Sequence, residues 1–108
     1  MISKLIIESL IVCAFEGGSN YWYRIESDTK KDYLKTVFED GLTVSNHHVQ
    51  DEDKPREGVL NQASIDKALE IMHDKYPRHY GDILQENEDA ITGDVFLQCA
   101  LFGEVIYG

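Results

Sequence analysis

From Ile2 to Phe15 the apolar residues Ile2, Leu5, Ile6, Leu10, Ile11, Cys13 and Ala14 return at spacings of three and four, and Ile7 and Val12 widen the stripe. That period predicts a helix with a broad buried side. Gly17 and Gly18 can take left-handed backbone angles without a Cβ clash, so they mark the expected helix stop. The period then shortens to two. Tyr21, Tyr23 and Ile25 fall on one side of an expected strand over residues 20–25, and Asn20, Trp22 and Arg24 on the other.

The stretch from Glu26 to Asp32 is polar and mixed in charge, which predicts a surface connection. Tyr33, Leu34, Val37 and Phe38 fit a short helix and an extended strand equally well. Glu39-Asp40-Gly41 reads as a hairpin turn leading into a strand at Leu42-Thr43-Val44, with room to continue to Val49. A polar hairpin tip is expected between Ser45 and Glu57, followed by a returning strand at 58–61. Ser64 is a suitable N-cap for the next helix, whose buried side holds Ile65, Ala68, Leu69 and Met72 and which Pro77 halts. Arg78-His79-Tyr80-Gly81-Asp82 forms a basic-aromatic patch, most simply a turn between helices. After the acidic run Glu86–Asp89, helix geometry resumes at Thr92 or Asp94 and ends at Gly103. The last residues, Glu104 to Gly108, read as a brief strand or an apolar tail packed against the body. The elements together predict a small α+β protein, one domain spanning residues 1–108.

Composition narrows the function. With 108 residues, 43% hydrophobic and 28% charged, the chain can bury a single core. Ten basic against twenty acidic residues give a formal net charge of −10. That balance speaks against general DNA or RNA binding, which needs a basic stripe for the phosphates. It leaves room for a small anionic ligand held locally by an arginine and amides, or for an acidic surface that fills a basic groove on another protein. The apolar start is interrupted by Lys4, Glu8 and Ser9 and is too short for a membrane span or a standard signal peptide, so a cytoplasmic location is expected.

Catalytic signatures are missing: no G-x-S-x-G elbow, no phosphate-binding glycine loop with lysine and serine, no H-E-x-x-H. Cys13 and Cys99 sit in apolar surroundings without a basic partner and read as small hydrophobes. His47 and His48, adjacent on an extended segment, point to opposite sides and make a poor metal pair. No metal or cofactor is expected. An acid–base pair of Glu16 with Glu104 is the one enzymatic arrangement that the pattern leaves open, if the two helix ends meet. An echo of Cys13-Ala14-Phe15-Glu16-Gly17 in Cys99-Ala100-Leu101-Phe102-Gly103-Glu104 suggests that they do.

The candidate binding surface is therefore the aromatic junction. Tyr21, Trp22 and Tyr23 offer rings for stacking a flat ligand; Ser19, Asn20 and Arg24 offer polar contacts; Gly17 and Gly18 permit close backbone approach. Glu16, Glu104 and Tyr107 join them if both helix ends feed one site. Aromatic residues in strands also serve as core, and that is the competing reading.

Ala14 to Tyr23 and Ala100 to Gly108, taken as a pair, resemble blocks in a group of small proteins from tailed bacteriophages. The resemblance implies an accessory phage protein acting in the host cytoplasm, many of which counter host defence. It also implies, by analogy with the nucleotide sponges among them, a homo-oligomer that sequesters a cyclic nucleotide immune signal without cleaving it. The alternative is an acidic inhibitor that binds a host defence protein.

Overall fold

A computed structural model of the chain describes residues 2–19, 21–25, 33–45 and 57–107, with the backbone alone at Arg24. Ser3 opens the first helix, α1 (Lys4–Cys13), by accepting the Ile6 N–H at 3.3 Å. Ile7, Leu10 and Ile11 are buried, as the stripe predicts. The expected left-handed stop is absent. The chain instead widens into a π-helical turn, Ala14–Gly18, closed by Ser19 N–H donating to the Ala14 carbonyl at 2.9 Å. Among the described glycines only Gly41 and Gly103 have positive φ. Gly17 and Gly18 serve close packing instead, because a Cβ on Gly18 would overlap the Ala90 carbonyl.

The expected strand over 20–25 shrinks to β1 (Arg24–Ile25). Trp22 and Tyr23 N–H both donate to the Ser19 carbonyl, at 3.1 and 3.2 Å, so the backbone here turns and period-two alternation does not apply. The ambiguous segment is a helix, α2 (Tyr33–Glu39). Asp40 and Gly41 N–H both return to the Thr36 carbonyl, and Gly41 at φ 83° ends that helix rather than forming a hairpin. β2 (Leu42–Ser45) and β3 (Glu57–Leu60) complete an antiparallel sheet of order β1-β2-β3, with Ile25 opposite Val44 and Leu42 opposite Leu60. The polar tip with His47 and His48, the extension to Val49 and the 26–32 connection lie outside the described residues.

α3 (Gln62–Lys75) is capped by Asn61, not Ser64. Ser64 is the reciprocal partner at the third helical position, and its N–H donates to Asn61 Oδ1 at 2.9 Å. Pro77 both ends α3 and occupies the first turn of α4 (Pro77–Leu84), so the basic-aromatic patch is helical rather than a turn. α5 (Ala90–Phe102) starts earlier than expected because Asp89 caps it, and Gly103 at φ 80° ends it.

The fold is α+β, built around α5. Residues 92, 93 and 95–100 of α5 are all buried, leaving it covered nearly all round by α1, α3, α4 and β3. Leu10, Ile11, Leu60, Ile65, Met72, Phe96 and Leu97 lie fully inside one core. Among the described residues no helix is long and apolar enough to cross a membrane.

Candidate functional site: the aromatic turn on α5

Beyond its first turn, α5 carries two polar side chains, Asp94 and Gln98, one turn apart in an otherwise apolar run, and they organise the junction. Asp94 Oδ1 accepts from Ser19 Oγ at 2.7 Å and from Trp22 Nε1 at 2.8 Å. Its Oδ2 accepts from Tyr21 OH and from Gln98 Nε2, each at 3.1 Å. Two carboxylate oxygens offer about four acceptor sites, so this one is filled by the chain itself. Gln98 is just as fully used: its Nε2 also donates to the Tyr107 carbonyl at 2.8 Å, and its Oε1 accepts the Ile106 and Tyr107 N–H groups at 2.7 Å.

This network corrects the stacking reading of Trp22. The indole is fully buried, with its N–H on Asp94 and its ring 5.5 Å from Phe102 and 5.4 Å from Tyr107. A ring sealed against the C-terminal tail offers no plane to a guest. Tyr107 therefore reaches the junction as a packing partner. Ser19 is buried and donates to Asp94, and the close approach expected at Gly18 is occupied by α5.

Tyr23 is half-buried, donates to the Phe15 carbonyl at 2.9 Å and stands edge-on to the Phe15 ring at 4.8 Å. Tyr33 meets Phe15 from another side at 5.2 Å and donates to Glu16 Oε2 at 2.8 Å. Tyr21 alone of the three junction aromatics stays open, 52% exposed. Partial burial, then the Asp94 charge, pushes its phenol up to about 12. Burial and the Glu16 hydrogen bond likewise raise Tyr33 above the ordinary tyrosine range. Asn20 and the Arg24 side chain lie outside the described residues.

Glu16 and Glu104 do not converge. Gly17 and Gly18 pack on Ala90 in the first turn of α5, whereas Glu104 follows its last turn, and a 13-residue helix is about 20 Å long. The echoed segments thus meet opposite ends of one helix, which removes the acid–base pair. Burial raises the thiol pKa of Cys99 to about 12, and it raises that of Cys13 as well. Among the described residues no three His, Cys, Asp or Glu side chains gather at metal-binding distance.

A groove of about 310 Å³ lies elsewhere, between α1 and α2, lined by Lys4, Glu8, Leu34, Lys35, Phe38 and Glu39. Lys4 Nζ sits 4.8 Å above the centre of the Phe38 ring there. Sequence reasoning missed this groove, because Lys4 and Phe38 lie on separate helices. It also missed Asp94 and Gln98 as a pair, although polar residues four apart in an apolar helix were a legible sign. No protein-family model, no curated protein and no solved structure matched the chain.

Proposed function

We propose that this protein is a non-catalytic binding module whose acidic surface engages a protein partner. One observation carries the reading: the ten Lys and Arg residues are absent from 5–23 and from 79–108, the two segments that α1, the π turn and α5 hold together. Those segments contribute Glu8, Glu16, Asp82, Glu86, Glu88, Asp89, Asp94 and Glu104. A surface of one sign steers a basic partner and repels nucleic acid. The resemblance to phage accessory proteins supports a host defence protein as that partner, in the bacterial cytoplasm.

A second reading rests on the α1–α2 groove. Lys4 and Lys35 beside the half-buried Phe38 ring offer contacts to a small planar anion such as a cyclic nucleotide, against the Glu8 and Glu39 carboxylates in the same lining, and a homo-oligomer would close this open groove from its far side. The two readings separate in one experiment. The protein is heated with a panel of cyclic di- and trinucleotides, and separately used to capture partners from bacterial lysate, with its size measured in solution. On the first reading no nucleotide raises the melting temperature, the protein is monomeric, and one captured partner binds when purified, more weakly as salt rises. A nucleotide that raises the melting temperature and is recovered intact from a multimer overturns it in favour of the second.

A further inference from the structure

We propose that the partner docks on the exposed surface formed by Tyr21 and Ile91, and that it presents there a basic segment carrying an apolar side chain. The inference rests on the protein-binding reading above and names its site. Five large apolar side chains stand exposed among the described residues: Leu5, Tyr21, Val59, Leu84 and Ile91. Tyr21 and Ile91 share Asp94 as a neighbour: Tyr21 OH donates to Asp94 Oδ2, and Ile91, 65% exposed, lies one turn before Asp94 on α5. Leu5, Val59 and Leu84 stand on α1, β3 and α4.

The patch is held in place before any partner arrives. The Tyr21 hydroxyl is fixed on Asp94, the neighbouring Trp22 is locked in the core, and Gly17 packs on Ala90 beside it. A rigid, exposed aromatic beside an aliphatic residue loses little freedom on binding and is the type of contact on which interface energy concentrates. Its charge sets the chemistry of the occupant. Among the described residues the four donors to Asp94 are all neutral groups, and two further carboxylates stand near in the chain, Glu16 next to the Gly17 that packs on Ala90 and Asp89 two residues before Ile91. A second copy docking by two-fold symmetry would set these carboxylates against themselves, and nucleic acid would be repelled. A metal ion would find the Asp94 oxygens already occupied. A cationic segment with an apolar residue meets both features.

The probe is a fluorescent synthetic amphipathic peptide of leucine and lysine, with a comparator in which every leucine is serine at equal charge, titrated against the full chain by anisotropy. Ile91→Ser should weaken the leucine–lysine peptide about tenfold or more, the loss expected of a central contact. Leu5→Ser and Leu84→Ser, comparably exposed elsewhere, should leave affinity within about twofold, and the serine comparator should bind at least about tenfold more weakly. Amide shifts on binding should centre on Gly17, Tyr21 and Ile91. Equal losses from Leu5→Ser, or none from Ile91→Ser, would overturn the docking site while leaving acidic binding intact. If the wild-type chain ignores the leucine–lysine peptide yet captures a lysate partner, the docking chemistry falls alone; if it does neither, the protein-binding reading falls with it.

Discussion

Asp94 shows how one residue can decide whether an aromatic block is a site or a scaffold. A tryptophan between tyrosines, shortly after two glycines, resembles a stacking platform in sequence, but an indole N–H needs an acceptor wherever it is buried, and α5 supplies one. Removing that acceptor leaves Ser19 and Trp22 as buried donors without a partner. Asp94→Ala should therefore lose about 3 kcal/mol of stability in denaturant melts, and Trp22→Ala about 3–5 kcal/mol, since a fully buried ring leaves a cavity. A Trp22→Ala protein of unchanged stability would return the ring to solvent and revive the stacking surface. The phenol of Tyr21 gives a test by pH. Its folded pKa, about 12, lies above the ordinary value of 10.0, so the fold favours the protonated phenol. That contribution is complete below pH 10 and is lost as pH rises through 12. The urea midpoint should fall over this range, and less steeply in Tyr21→Phe; equal slopes would show that Tyr21 is not responsible.

At the scale of elements, glycines report where helices touch. A Cβ on Gly93 would sit 2.7 Å from the Ala14 nitrogen and 2.8 Å from Cys13 Cβ, so α1 crosses α5 through a notch that tolerates no side chain. Gly93→Ala should force the helices apart and cost about 1–3 kcal/mol. At Gly81, inside α4, an added Cβ would meet nothing within 4 Å, so Gly81→Ala should gain about 0.5–1 kcal/mol from helix propensity alone. Thermal melts of both variants check the contrast; destabilisation by Gly81→Ala would contradict it. The same elements show what was readable in advance. Helix existence was legible at α1, α3 and α5, where apolar spacing is long and Gly103 or Pro77 punctuates it. Cap positions were not. Ser64 and Asp89 both suit a cap, and only the fold decides that Ser64 answers Asn61 while Asp89 acts directly. The junction misled for a related reason: Tyr21, Trp22 and Tyr23 alternate as a strand would, but Ser19 and Trp22 gain more from a carboxylate 75 and 72 positions away than from a sheet partner. Contacts of such separation leave no local pattern.

Across the whole molecule, the proposed partner binding would set stability and binding in opposition through charge. The chain carries a net −10, and among the described residues no Lys or Arg lies within ion-pair distance of a carboxylate, the close pair being His73 Nδ1 with Asp74 at 3.1 Å. Among the described residues added salt therefore has repulsion to screen and few attractions to weaken. Raising ionic strength from about 0.01 M to about 0.15 M shortens the screening length from about 30 Å to about 8 Å, which is less than the width of the fold. The melting temperature should rise over that range. Affinity for a basic partner should fall over the same range, because the contact that salt weakens there is attractive. Calorimetry and a binding titration at matched salt steps read both slopes on one sample. A melting temperature that drops with salt would mean that attractive pairs hold the fold, and the cation-free stretches 5–23 and 79–108 would then lose their claim to be a surface kept clear for binding. Opposite slopes would show a protein that trades some of its own stability for a field directed outward.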